Sequence, residues 1–134
     1  MNAIMRPILI VVVAFLSWSS RAGAQGFPPA RFTNLHVLPK DSRAADVVGT
    51  MKSFTRALGV RCQHCHVGEE GLPLEQFDFV ADTKAPKVTA RAMMRLVAEI
   101  NSGLDNAVPN TASQPRVTCW TCQGGRITPQ RQPQ

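Results

Sequence analysis

Arg61-Cys62-Gln63-His64-Cys65-His66 decides how the rest of the chain is to be read. Cys62, Cys65 and His66 spell C-x-x-C-H, the spacing at which haem is attached in c-type proteins. Two thiols three residues apart on one helical turn can reach the two vinyl groups of one porphyrin. The histidine that follows then lies under the iron and offers an imidazole nitrogen as fifth ligand. The competing reading is an ordinary C-x-x-C, a zinc half-site or a disulfide, with a chance histidine behind it.

The residues leading into this motif predict a helix over Ser42–Leu58. Asp41 or Ser42 can cap it by accepting from the free N–H groups of its first turn. Val47, Met51, Phe54 and Leu58 recur at spacings of four, three and four, which makes one apolar stripe. Gly59 is placed to end the helix as a C′ glycine. A tight turn there can fold the helix back over the porphyrin face opposite His66. That makes Met51 the first choice for sixth ligand, since a thioether is soft and suits a low-spin haem iron. The alternative is that Met51 is core filler.

Further along, residues 67–84 read as loop, with Leu74, Phe77, Phe79 and Val80 as a short apolar patch that can pack on a haem edge. Pro86 suits the first turn of a second helix. This helix is predicted to run to about Asn101, with Met93, Leu96, Val97 and Ile100 as its stripe and Met94 on the flank. Ser102-Gly103 is expected to end it. A polar connection follows, and then a second pair, Cys119-Trp120-Thr121-Cys122. The two helix-then-C-x-x-C segments form a weak internal repeat. The expected fold is therefore mostly α: a small domain of two helix/C-x-x-C segments with long loops around covalently bound haem.

The flanks are of a different character. Residues 1–24 read as a signal peptide: a positive start through Arg6, an apolar run of twelve residues from Pro7 to Trp18, and Ala22-Gly23-Ala24 as the cleavage site. That run is shorter than the ~20 residues a spanning helix needs. Residues 25–40 read as an extended, proline-rich arm carrying His36, 41–126 as the cytochrome domain, and 127–134 as a disordered tail. Export implies a periplasmic protein whose four cysteines meet an oxidising compartment.

Loss of Arg6 and Arg21 lowers the formal charge from +6 to +4. There is no Lys/Arg block and no alternation of basic with aromatic residues, so nucleic acid is not the expected partner. Five phenylalanines, one tryptophan and no tyrosine would remain after cleavage. Such a thin core calls for a staple, and a buried porphyrin would serve as one.

Met51-x-x-Phe54-Thr55-x-x-Leu58-Gly59-Val60-x-Cys62-x-x-Cys65-His66 resembles the photosynthetic reaction centre cytochrome c subunit family. So do Ala90-Arg91-x-Met93-Met94-Arg95-x-Val97 with Ile100-Asn101, and the final C-x-x-C followed by Gly125 and Pro129. The likeness extends from about Phe32 to Pro129 and corresponds to one half of a full-length, four-haem member. It implies a multihaem-cytochrome-like fold and a haem on Cys62 and Cys65 with His66 and Met51 as axial ligands. It also implies a second haem on Cys119 and Cys122, with Met93 or Met94 as a distal ligand. Partners would be redox proteins, membrane-bound ones included, with a reaction centre among the candidates.

Gln123 breaks the pattern, because it stands where the second proximal histidine belongs, and a carboxamide is a poor ligand for haem iron. Three readings stay open: a Cys119–Cys122 disulfide without a second haem, a haem with an open or unusually ligated iron, or a sequence error for histidine. The expected function is one-electron transfer by an exported c-type cytochrome, not catalysis. An open iron would instead make a peroxidase or ligand sensor, and the four cysteines together could make a structural zinc module.

Overall fold

Ala44 begins the first helix, α1 (Ala44–Leu58), and the residues before it explain why it starts there. The computed structural model describes residues 26–108 and 114–132, so the expected signal peptide lies outside the described residues. The helix start differs from expectation. The N-cap is Arg43, in extended conformation and without a side-chain cap. Ser42 Oγ instead donates to Pro39 O at 2.7 Å, which closes a turn ahead of the helix, and Asp41 is exposed. Asp46 in the first turn places a negative charge at the positive end of the helix dipole, and its carboxylate pairs with the Arg43 guanidinium at 2.8 Å.

The helix ends as the sequence predicts. Gly59 is left-handed (φ 65°) and its N–H returns to Thr55 O. Val60 N–H reaches the same carbonyl at 3.1 Å. After Arg61 comes α2 (Cys62–Cys65), one turn closed by His66 N–H donating to Cys62 O at 2.9 Å. The chain then runs extended. Val67 bridges Asp78, and a single 3-10 turn spans Leu74–Gln76.

The long helix α3 (Ala85–Ala107) outruns its predicted end by six residues. Ser102-Gly103 does not stop it, because a glycine costs only about 1 kcal/mol in a helix and Leu104 carries the apolar stripe on, half-buried. Asn101 has a different task. Its Nδ2 donates to Val117 O at 2.7 Å, and its Oδ1 accepts from Val117 N–H at 2.9 Å. This two-bond clamp holds the segment entering the last helix against α3. The helix ends at Val108, which is extended, as the residue before Pro109 prefers to be.

Thr118 caps α4 (Cys119–Gln123) through a capping box with Thr121, and left-handed Gly124 ends it. The domain is mostly helical, with no strand among the described residues. Both C-x-x-C pairs occupy single helical turns. No described helix is long and apolar enough to cross a membrane.

The helices meet in a cross-over pattern: α1 lies along α4, while α3 packs against both α2 and α4. The α1–α4 contact includes a backbone junction, Gly125 N–H donating to Ala57 O at 2.9 Å. Side-chain burial is sparse. Val47 (4% exposed) and Ala57 (2%) are the only buried apolar residues among those described, and Leu96 (44%) and Ile100 (36%) of the expected α3 stripe are exposed. Protein atoms alone thus form little core. A domain of this size ordinarily needs a disulfide, a metal or a prosthetic group besides.

Candidate haem site

The attachment turn is tied to the start of α3. Arg61 supplies the N-cap, and Lys84, just ahead of α3, reaches across to donate from Nζ to Gln63 O. Cys62 and Cys65 are half-buried and unbridged. Burial raises the Cys65 thiol above its usual pKa, so it remains a thiol at neutral pH.

His66 follows directly. Its ring meets Phe79 edge-on, with centroids 4.8 Å apart, and Phe79 stacks in turn on Phe77 at 5.7 Å and tilts against Phe27 at 5.2 Å. Burial, and then the positive charges of Lys87, Arg91 and Lys84, pull the His66 pKa down to about 4. The imidazole is therefore neutral at physiological pH and keeps a lone pair for a metal. Its Nδ1 is buried without any hydrogen-bonding partner in the protein. Buried polar atoms of this kind ordinarily have one, so an orphan beside a C-x-x-C turn points to a group from outside the chain. Thiols on one turn, a neutral histidine next to them and a thin surrounding core all fit haem c.

Met51 sits mid-way along α1, half-buried, and Met93 and Met94 sit half-buried on α3. α1 has little contact with α2 and lies chiefly on α4. His36, in the arm, is exposed, with Nε2 2.6 Å from Asn34 Oδ1.

The second pair does not reproduce the first. Cys119 is half-buried and Cys122 exposed, and neither is bridged. At the first motif the helix stops at Cys65 and His66 is extended. At the second, Gln123 remains helical and two left-handed glycines follow. With its amide nitrogen turned toward the acceptors, Gln123 donates to Arg126 O at 2.8 Å and Ile127 O at 3.0 Å. The carboxamide thus closes its own turn, a task suited to glutamine, and the segment offers no imidazole to an iron. The residues here do not fit a second haem of the C-x-x-C-H kind.

The zinc alternative fails on placement. Among the described residues no three His, Cys, Asp or Glu side chains converge so as to hold a metal ion.

Sequence reasoning missed the polar cluster behind His66. Lys87 Nζ donates to the carbonyls of Phe79 (2.9 Å), Val80 (3.1 Å) and Ala81 (2.8 Å) and pairs with Asp82 at 2.9 Å. Arg91 binds the other Asp82 oxygen at 2.8 Å and donates to Asn34 O at 3.2 Å. Hydrogen bonds from Arg91 and Lys87 hold the Asp82 carboxyl well below the usual carboxylate range. The only sequence signal was the run of cations at positions 84, 87 and 91, at helical spacing.

Two thiols on one turn and a histidine directly after them have the chemistry that a covalently tethered haem requires, the donor set of a c-type cytochrome. Residues 32–132 match the family described as photosynthetic reaction centre cytochrome C subunit, and the chain belongs to that family. The family is one of haem proteins, and membership implies covalently bound haem c as the cofactor class. No curated protein matches the chain.

Proposed function

We propose that the protein is an exported c-type cytochrome that carries single electrons on one haem. The observation that carries this reading is the half-buried His66 ring directly after the Cys62–Cys65 turn, with its Nδ1 buried and unpartnered. Bound haem c supplies a one-electron iron couple. Cys62 and Cys65 would tether it by thioethers, His66 would ligate from the proximal side, and Met51 would do so from α1. With His66 and Met51 both holding it, the haem would have no position left for substrate, and electrons would pass without a bond between iron and partner. Residues 1–24 support export to the periplasm, where Cys119 and Cys122 would close as a disulfide.

Lys52 and Arg56 lie exposed on α1, while exposed Arg61 faces Glu70 at 3.4 Å. Such a surface suits a redox partner with an acidic docking face, membrane-bound or not, and a photochemical reaction centre is one such partner.

Two substitutions test the assignment. Met51→Ala should convert a low-spin spectrum into a high-spin one that shifts on addition of carbon monoxide or cyanide. An unchanged spectrum would remove Met51 from the ligand set and direct the same test to Met93 and Met94. Ligand binding by the unsubstituted protein would favour the sensor or peroxidase reading. Gln123→His, matured in a periplasm that attaches haem c, should raise the count from one haem per chain to two by intact mass. A count that stays at one would show that residue 123 is not what excludes the second haem.

A further inference from the structure

Lys87 is the one buried charged residue among those described, 8% exposed in a domain that buries only two apolar side chains. Burying an ammonium costs several kcal/mol unless it is well paired. Here three N–H groups are shared among four acceptors: three consecutive carbonyls, from Phe79 to Ala81, and the Asp82 carboxylate. The loop backbone is wrapped around the charge. Its first residue, Phe79, is the one that rests against the His66 ring.

We propose that Lys87 and Asp82 are a positioning and potential-setting pair for the haem held on His66, the buried ammonium raising its reduction potential and the carboxylate opposing it. This deepens the one-haem reading and rests on it. Lys84, Lys87 and Arg91 all turn toward the attachment segment and its supporting loop, bonding Gln63, residues 79–81 and Asp82 respectively. Two carboxylates belong to the same loop: Asp82, paired with Lys87 and Arg91, and Asp78, which accepts from the N–H groups of Val80 and Ala81 at 2.9 and 2.8 Å. The balance is one excess positive charge. Reduction lowers the charge of the iron by one, so a fixed cation in a poorly solvated site favours the ferrous state.

The test is the midpoint potential of the periplasmically matured protein and of Lys87→Met, Lys87→Arg and Asp82→Asn, with haem content confirmed by intact mass. Lys87→Met should shift the one-electron equilibrium toward the ferric form about tenfold, which is 59 mV for a one-electron couple. Asp82→Asn should shift it the opposite way, and Lys87→Arg should stay near the parent. A purely structural role predicts that loosening the loop moves Lys87→Met and Asp82→Asn in one direction, or neither, and that result overturns the inference while leaving the one-haem reading intact. Should Lys87→Met fail to fold, the sign of the Asp82→Asn shift decides alone: upward supports the pair, unchanged or downward overturns it. A parent without covalent haem overturns the one-haem reading and the inference with it.

Discussion

Replacing Cys62 and Cys65 together with serine is expected to abolish covalent haem and to leave a chain that does not hold its fold. The first effect is chemical, since serine cannot form the thioether bonds. The second follows from packing. Val47 and Ala57 are the only buried apolar side chains among the described residues, and full burial of an aliphatic side chain is worth roughly 1.5–3 kcal/mol. Ordering each residue costs about 1–2 kcal/mol of backbone entropy. A domain with so little core of its own leans on whatever its attachment turn holds. The double variant should show no haem absorbance and a far-ultraviolet dichroism spectrum of much reduced helicity. A variant with parental helicity and a cooperative melt would show that the polypeptide core suffices.

Gly59→Ala is expected to be the most damaging single substitution away from the attachment residues, by about 2–4 kcal/mol. Two independent effects act there. The left-handed backbone (φ 65°) disfavours any side chain by roughly 1–2 kcal/mol. A Cβ at residue 59 would also collide with the carbonyl of Gly125, which is backbone and cannot swing aside. Relief of that clash strains the Gly125 N–H to Ala57 O bond that joins α1 to the turn after α4. At about 4–8 °C per kcal/mol for a domain of this order, the melting temperature should fall by about 8–30 °C. Gly49→Ala is the control. That glycine lies within α1, with nothing within 4 Å of an added Cβ and no positive φ. Alanine there should stabilise by roughly 0.5–1 kcal/mol. Equal effects at both positions would contradict the junction described here.

What could be read from the sequence was what local chemistry fixes. The C-x-x-C-H spacing located the turn α2, and Gly59 after a four-three-four apolar stripe was correctly read as the end of α1. The start of α1 was misread because Ser42 had two acceptable uses, and the Pro39 carbonyl claimed its hydroxyl. The end of α3 was misread because Asn101 and Gly103 look like a stop, yet Asn101 is engaged by Val117, far along the chain. Lys87 was illegible for the same reason. A lysine on a helix ordinarily stays in water, and only the folding of residues 79–82 around it makes burial tolerable. Gln123 was visible as an anomaly, whereas its engagement by the Arg126 and Ile127 carbonyls required the turn itself.

The most direct measurement is a visible spectrum, together with an intact mass, of the full chain matured in a periplasm that attaches haem c. A sharp Soret band, a low-spin reduced spectrum and the mass of the processed chain plus one haem, surviving acid–organic extraction, is the predicted result. A well-folded product with no Soret band, or with haem that extraction removes, would contradict it.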